Sequence, residues 1–233
     1  MTISLASLPR TRLLAEMSLW SADLVRLADD IARTEAHADI YHIDVSDGHF
    51  TSALLFFPDQ VAQIRRCTAS PLHVHLMTTP DVVLDQIAQF ADAGADVITV
   101  HAELPNVAEA LDAIAARNIA AGLVLKLETP VEAATPWLGR VEMLTLLGTA
   151  LGVKGQGLAP QAPARLTEAR GRIAQAGRAG QIILAADGGI RPHTVPDLRA
   201  AGAETVVMGS LAFGSPDLAG TMRWLHALPM QVA

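Results

Sequence analysis

Cysteine and long apolar runs are both scarce in this chain. Cys67 is the only cysteine among 233 residues, so an intramolecular disulfide is impossible and a reducing compartment is expected. The longest uncharged apolar stretch, residues 143–153, is much shorter than the ~18–20 residues that span a bilayer. Charges at positions 10, 12 and 16 interrupt the region where a signal peptide would be uniformly apolar. We therefore expect a cytoplasmic protein that does not associate with membranes.

Basic residues are also in the minority. Lysine and arginine total 17 against 24 aspartates and glutamates, which gives a net charge of −7. No basic run is present in the sequence, so nucleic acid is not expected as a partner. A small anionic substrate is still compatible with this balance, because a few backbone N–H groups and one cation can hold a phosphate locally.

Strand-length apolar runs alternate with segments of helical periodicity along the whole chain. Hydrophobic residues make up 51% of the sequence, and no linker divides it, so residues 1–233 are predicted to form one domain. The predicted strands cover residues 13–20, 40–45, 72–77, 97–100, 120–125, 143–147, 182–186 and 205–208. Their spacing is close to the ~30 residues of a strand–helix–strand unit. Eight such units predict an α/β fold, the (β/α)8 or TIM barrel, with its active site at the C-terminal ends of the strands.

Helix boundaries can be predicted at a few places. Ser21 is a candidate N-cap for the first helix. A second helix is predicted to open at Thr79 and to end at Gly94, and a third to cover residues 106–117. The sequence around Gly94 is echoed around Gly202, and the separation of 202 − 94 = 108 positions suits units four and eight of an eightfold barrel.

Histidines and carboxylates recur at the ends of the predicted strands. Residues two apart on a strand point to the same side, so His42 and Asp44 face one way. Strand-end positions are shared by further candidate ligands: His73, His75, His101, Glu103 and Asp187. A lone pair of this kind is more often a satisfied polar contact, but its recurrence favours an open metal site. The imidazoles of His42 and His75 with the carboxylates of Asp44 and Asp187 suit Zn²⁺, with Fe²⁺, Mn²⁺ and Co²⁺ as alternatives.

Two carboxylates on different strands suggest acid–base chemistry. A metal that holds a carbonyl oxygen and the neighbouring hydroxyl oxygen stabilises an enediolate, which lowers the barrier to removing a proton beside the carbonyl. Asp44 and Asp187 can then exchange protons with opposite faces of the substrate. The product of such a reaction would be an epimer.

Glycine-rich loops follow the last three predicted strands. Glycines let backbone N–H groups approach an anion, and the loops after strands seven and eight commonly bind phosphate in this architecture. The residues concerned are Gly152, Gly155, Gly188, Gly189, Gly209 and Ser210. Each glycine pair alone is also an ordinary turn former, whereas their succession indicates a phosphorylated substrate.

Together these motifs make the chain resemble the ribulose-phosphate 3-epimerase family from about residue 17 to residue 213. The matching motifs, in order, are SLWSAD at 18–23, HIDVSDGHF at 42–50, HLM at 75–77, HAE at 101–103, GQ at 155–156, DGGI at 187–190 and GS at 209–210. The resemblance implies a barrel of the ribulose-phosphate-binding type. It also implies a homo-oligomeric ketose-phosphate 3-epimerase with one divalent metal per chain. D-Ribulose 5-phosphate and D-xylulose 5-phosphate are the default pair.

The resemblance also assigns roles by position. His42, Asp44, His75 and Asp187 would bind the metal, with Asp44 and Asp187 as the catalytic acid–base pair. The substrate-binding residues would be Ser18, His75, Met77, Gly152, Val153, Lys154, Gly155, Gly188, Gly189, Gly209 and Ser210.

Several positions depart from the family pattern. Ser46 replaces a methionine, His73 an aspartate, and Lys126–Leu127 an Asn-Pro pair, while residues 51–53 and 147–154 also differ. We expect these changes to alter the pocket walls and to favour another ketose phosphate, such as allulose 6-phosphate. Lys126 leaves open a barrel aldolase or lyase, although the D-x-K-x-x-D pattern of related decarboxylases is absent. A barrel that binds a sugar phosphate without turnover is a third alternative.

Overall fold

A closed barrel of parallel strands organises the part of the chain that the computed structural model describes, residues 4–229. Its eight strands within those residues are β1 (Leu14–Ser18), β2 (Ile40–Ser46), β3 (Leu72–Met77), β4 (Val97–His101), β5 (Ala120–Leu125), β6 (Met143–Leu147), β7 (Ile183–Asp187) and β8 (Thr205–Met208). Each strand pairs with the next in chain order, and β8 closes the barrel against β1, with Thr205 beside Leu14. The (β/α)8 prediction is confirmed.

Helices follow the strands and cover the outside of the barrel. They are α1 (Leu27–Thr34), α2 (Pro58–Cys67), α3 (Val83–Asp92), α4 (Val107–Ala115), α5 (Ala162–Gln175), α6 (Val195–Ala200), α7 (Ser210–Phe213) and α8 (Leu218–His226). The crossover after β5 is instead a run of 3-10 turns, Val131–Arg140, with Pro136 inside it. Proline has no N–H to donate, which disfavours a regular α-helix there. Among residues 4–229, no helix combines the length and apolarity needed to cross a membrane.

The barrel interior changes from apolar to polar along the strand direction. Apolar side chains close its N-terminal end: Leu5, Leu14, Ile40, Val97, Met143 and Ile183. Two residues further along four of these strands, and therefore on the same inward face, lie buried polar groups: Glu16, His42, Thr99 and Thr145. At the same level of the barrel, the buried Thr205 of β8 pairs with Ala185 of β7. The next step along the strands brings Asp44, His75, His101 and Asp187 to the C-terminal end. The polar side chains are thus concentrated where this architecture places its active site.

Two predicted helix starts are wrong. Ser21 lies in a 3-10 turn, Leu19–Ser21, and α1 begins only at Leu27. The backbone of the intervening segment is held by side chains instead, as the Asp30 carboxylate accepts from the N–H of Asp23. Likewise α3 begins at Val83 and not near Thr79.

The predicted internal echo is present in the fold. Gly94 follows α3 and Gly202 follows α6, with φ angles of 101° and 117° that favour glycine. A Cβ at either position would press on an arginine side chain, Arg65 or Arg170. In both units a left-handed glycine therefore turns the chain from a helix into the next strand.

Candidate active site

Four strand-end side chains converge at the C-terminal mouth of the barrel. His42 and Asp44 come from β2, His75 from β3 and Asp187 from β7, and one potential ligand atom of each lies within 4.8 Å of the others. The Asp44 Oδ1 atom is 3.1 Å from His42 Nε2 and 3.3 Å from His75 Nδ1. Ligand atoms around a tetrahedral zinc are roughly 3.3 Å apart, since each lies ~2.0–2.2 Å from the ion. The four side chains therefore fit a divalent metal in donor type, and the contacts of Asp44 with His42 and His75 also have about this spacing.

Each imidazole uses its second nitrogen for a contact away from this cluster. His42 Nδ1 is 2.7 Å from the Glu16 carboxylate. His75 Nε2 is 2.9 Å from His101 Nε2, and His101 Nδ1 is in turn 3.0 Å from Glu103 Oε2. Partners of this kind fix the ring orientation of histidines that bind metals. The nitrogens directed toward the cluster are His42 Nε2 and His75 Nδ1.

The two carboxylates of the cluster have very different electrostatic environments. Burial raises the pKa of Asp187 to about 6, and the negative charge of Asp44 adds to this rise. Burial would also raise the pKa of Asp44, but the charge on His42 and the hydrogen bonds from His42 and His75 hold it well below its usual range. Carboxyl groups whose pKa values are pushed apart in this way can serve as one acid and one base.

A cavity of about 430 Å³ opens above the cluster. Asp44 and Asp187 lie on its walls, and Ser18 donates a hydrogen bond from Oγ to Asp44 Oδ2 at 3.3 Å. The walls also include every predicted substrate-binding residue: Ser18, His75, Met77, Gly152, Val153, Lys154, Gly155, Gly188, Gly189, Gly209 and Ser210. His42 is behind them, fully buried. The cavity thus joins the metal-type cluster to the glycine-rich loops.

The glycines on these walls are also needed for packing between loops. Gly188 and Gly189 have φ angles of 88° and 71°. A Cβ on Gly189 would lie 2.6 Å from the Cα of Leu158. The glycine signal in the sequence therefore has a structural cause in addition to any contact with an anion.

Three residues that depart from the family pattern were predicted to alter the cavity walls, and this prediction is wrong. Ser46 donates its hydroxyl to the Ala53 carbonyl at 2.8 Å, and His73 points into the barrel below the cavity. Lys126 Nζ lies 4.0 Å from the centre of the Phe50 ring. None of Ser46, His73 and Lys126 lines the cavity.

Other residues that the motifs did not single out do line the cavity. Trp20 and Arg191 are among them. The ammonium group of Lys154 lies 4.7 Å from the centre of the Trp20 ring and donates to the Trp20 carbonyl oxygen. Lys154 and Trp20 thus join the loops after β6 and β1 at the cavity mouth. A tryptophan within the 18–23 motif was the one sequence signal for this contact.

Comparisons with known proteins give a consistent result. The model of the ribulose-phosphate 3 epimerase family matches residues 14–213. Ribulose-phosphate 3-epimerase 2 of Cupriavidus necator is 36% identical over 216 residues, which cover 91% of this chain and 89% of that protein. The ribulose-phosphate 3-epimerase of Escherichia coli K12 is 35% identical over 204 residues, covering 86% and 88%.

Solved structures show the same fold at lower sequence identity. A 3-hexulose-6-phosphate synthase superposes with a TM-score of 0.67 at 18% identity, over 93% of this chain and all of that chain (100%). Orotidine 5'-phosphate decarboxylase from Pyrococcus horikoshii gives a TM-score of 0.65 at 14% identity, over 91% and 97%. At such identities the likeness concerns the barrel fold alone.

Proposed function

The chain belongs to the ribulose-phosphate 3-epimerase family, and we propose that it is a metal-dependent ketose-phosphate 3-epimerase with Asp44 and Asp187 as its acid–base pair. As a member of the family it is an isomerase, an epimerase that acts on carbohydrates. D-Ribulose 5-phosphate and D-xylulose 5-phosphate are the default substrate pair. The observation that carries the proposal is the pair of carboxylates on one cavity, with separated pKa values, beside two histidines of ligand type.

The metal is proposed to bind to His42, Asp44, His75 and Asp187, one ion per chain, with zinc first and iron, manganese or cobalt as alternatives. A bound cation there would offset the negative charge that develops on substrate oxygens when a proton leaves the neighbouring carbon. The donor set supports this assignment, since imidazole and carboxylate suit these ions.

The protein's own groups divide the proton transfer between them. Asp44 stays ionised because the neighbouring imidazoles lower its pKa, so it can accept the proton from the substrate carbon. Burial and the charge of Asp44 favour the protonated form of Asp187 relative to Asp44, so Asp187 is the group that can carry a proton and return it to the other face. In the reverse direction the two exchange roles. Removal from one face and return to the other inverts the carbon.

The phosphate of the substrate is proposed to bind at the loops after β6, β7 and β8. Gly155, Gly189 and Ser210 of these loops line the cavity together with Lys154, so their backbone N–H groups and the lysine charge would hold the phosphate. Binding of a remote phosphate would orient the reacting carbon between the carboxylates. A homo-oligomeric assembly and a cytoplasmic location stay predictions.

Solvent isotope exchange combined with two substitutions tests the proposal. The epimerised product formed in deuterated water should carry deuterium at the inverted carbon. Asp44→Asn and Asp187→Asn should each lower kcat by about 10²–10⁴-fold or more, the range typical of acid–base groups. Asp112→Asn is a matched control, because that carboxylate pairs with Arg140 on the outer surface. Activity near that of the unsubstituted enzyme in either site variant would contradict the assignment.

A different ketose phosphate is the second candidate substrate. Trp20 and Lys154 on the cavity walls favour it, because they place a bulky ring and a positive charge at the mouth. A lysine-dependent aldolase is less well supported, since Lys126 lies against Phe50 and away from the cavity.

A further inference from the structure

A carboxylate that the proposed reaction does not use lies below the candidate metal cluster. Glu16 points into the barrel from β1 and is completely buried. Its Oε1 atom is 2.7 Å from His42 Nδ1 and also forms a short hydrogen bond with His73 Nδ1. The other oxygen accepts from the Thr205 hydroxyl at 3.4 Å. Burying a carboxylate is costly unless its oxygens are paired, and each oxygen of Glu16 has a partner.

The contact with Glu16 determines which nitrogen of His42 a metal ion can use. An ionised carboxylate can only accept hydrogen bonds, so His42 Nδ1 must carry the proton that it donates to Glu16. Because Nδ1 keeps its proton for Glu16, Nε2 is the nitrogen that can give up its proton to make way for a metal ion and offer that ion a lone pair. That Nε2 atom is directed at the candidate cluster, 3.1 Å from Asp44 Oδ1.

Glu16 is itself held by a hydrogen-bonded chain across neighbouring strands. His73 donates from Nδ1 to Glu16, and its Nε2 is 2.8 Å from the Thr99 hydroxyl, which can donate to it. The rings of His42 and His73 meet edge to face, with centroids 4.7 Å apart. Thr99, His73, Glu16 and His42 come from β4, β3, β1 and β2, so the orientation of His42 is tied to half of the barrel.

A second metal ion among Glu16, His42 and His73 is the competing explanation for this cluster. Those residues do offer three donor atoms close together. However, both histidine nitrogens bond the same Glu16 oxygen, one of them at 2.7 Å. Ligand atoms that share a tetrahedral zinc are roughly 3.3 Å apart, whereas 2.7 Å is the length of a charge-assisted hydrogen bond. The spacing leaves room for a proton and not for an ion.

We propose that Glu16 is a positioning residue for the metal: it holds His42 in the tautomer and ring orientation that present Nε2 to the ion. The inference rests on the proposed metal-dependent function. It concerns a residue that touches neither substrate nor metal, and its effect should be on metal affinity.

Metal affinity of Glu16→Gln tests the inference. Glutamine has nearly the same shape but lacks the charge, so zinc should bind about tenfold or more weakly, within the 10–100-fold range typical for lost partners of ligand histidines. The dissociation constant is measured by competition with a coloured chelator on the full chain after metal removal. The visible spectrum of the cobalt-loaded variant should also change, because the geometry at His42 is altered.

Thr205→Val is the control. It removes the 3.4 Å hydrogen bond from the Thr205 hydroxyl to Glu16 but leaves the hydrogen bond between Glu16 and His42 in place, so its zinc affinity should stay within twofold.

Equal zinc affinity in Glu16→Gln and the unsubstituted protein would overturn the inference, even if the variant melted at a lower temperature. Binding of two zinc ions, one of them lost in the variant, would overturn it as well and make Glu16 a ligand. Absence of zinc binding by the unsubstituted protein would instead defeat the proposed function, and the inference with it. Should Glu16→Gln fail to fold, nitrogen-15 NMR of the unsubstituted, zinc-loaded protein decides: protonated Nδ1 on His42 supports the inference, and protonated Nε2 contradicts it.

Discussion

His101 is a buried histidine whose environment opposes a positive charge. Burial lowers its pKa to about 4, and nearby His75 contributes, although the hydrogen bond to Glu103 acts in the opposite direction. Glu103 in turn accepts from the Lys126 N–H and the Thr129 hydroxyl. Burial alone would raise the pKa of Glu103, but these hydrogen bonds, led by that from His101, lower it to about 2. His101 is therefore neutral and Glu103 ionised at physiological pH.

This environment predicts a pH-dependent contribution of His101 to stability. The unfolded chain binds a proton on histidine near pH 6.5 and the folded protein only near pH 4, so between these values the unfolded state binds more protons. The contribution is therefore fully present above pH 6.5 and is lost as the pH falls toward 4. Relative to His101→Gln, the free energy of unfolding should fall by roughly 2–3 kcal/mol between pH 7 and pH 4.5.

Urea unfolding of both proteins at a series of pH values, with chelator present, measures this difference. The exposed His193 provides the control, since His193→Gln should leave the pH dependence unchanged. A constant difference between the unsubstituted protein and His101→Gln across the range would show that His101 titrates normally.

At the scale of elements, loops after different strands are packed against one another over the cavity. Gly152 in the loop after β6 has a φ of 74° and lies against Thr51 in the loop after β2. A Cβ at Gly152 would collide with the Thr51 hydroxyl. Gly155, in the same loop, has a φ of 81° but nothing within 4 Å of a Cβ. A comparison of alanine at these two positions therefore separates the cost of backbone strain, which both share, from the cost of a clash between loops, which only Gly152 has.

Gly152→Ala should be more damaging than Gly155→Ala. Each substitution costs about 1–2 kcal/mol, because alanine is disfavoured in the left-handed region. Gly152→Ala should cost a further 1–3 kcal/mol or so for overpacking, and should raise KM because the displaced loop lines the cavity. Thermal unfolding and steady-state kinetics measure both effects. In a Thr51→Ala background the extra cost should shrink, and an unchanged cost would mean that the loops do not press on each other.

Strands were more predictable than helix starts, for a physical reason. The bounds of β3, β5, β6 and β8 agree with those predicted, since each is a buried apolar run. The start of α3 depends on a distant contact, because the Thr79 N–H donates to the Asp47 carboxylate in another loop. Local capping rules contain no information about such a partner.

The same distinction applies to the site. The gathering of His42, Asp44, His75 and Asp187 could be predicted from strand ends and from the two-residue repeat. The contact between Glu16 and His73 could not, because it joins non-adjacent strands across the side chain of His42 and requires the register of the barrel. The contact between Trp20 and Lys154 at the cavity mouth was not predicted for a similar reason, because the two residues are 134 positions apart in the chain.

At the scale of the whole molecule, charge and cavity shape bear on substrate choice. The net charge of −7 opposes an anionic substrate at long range, but such repulsion is screened beyond about 10 Å at 0.1 M salt. Lys154 and Arg191 on the cavity walls act at shorter range. Local positive charge is therefore expected to dominate binding at ordinary ionic strength.

We expect a ketose phosphate other than D-ribulose 5-phosphate to be the best substrate, because the bulky Trp20 and the charged Lys154 reshape a cavity whose ligand-type cluster is complete. Polar groups that a substrate buries on the cavity walls lower kcat/KM for any substrate that leaves them without a hydrogen-bond partner. Ranking four- to six-carbon ketose phosphates by kcat/KM measures the preference. Trp20→Leu with Lys154→Gly, which removes the bulky ring and the positive charge from the mouth, should move the ranking toward ribulose 5-phosphate, and Val153→Ala is a neighbouring control without a change in charge. If the unsubstituted enzyme prefers ribulose 5-phosphate by tenfold or more, about 1.4 kcal/mol, the cavity is not specialised and the default pair is its substrate.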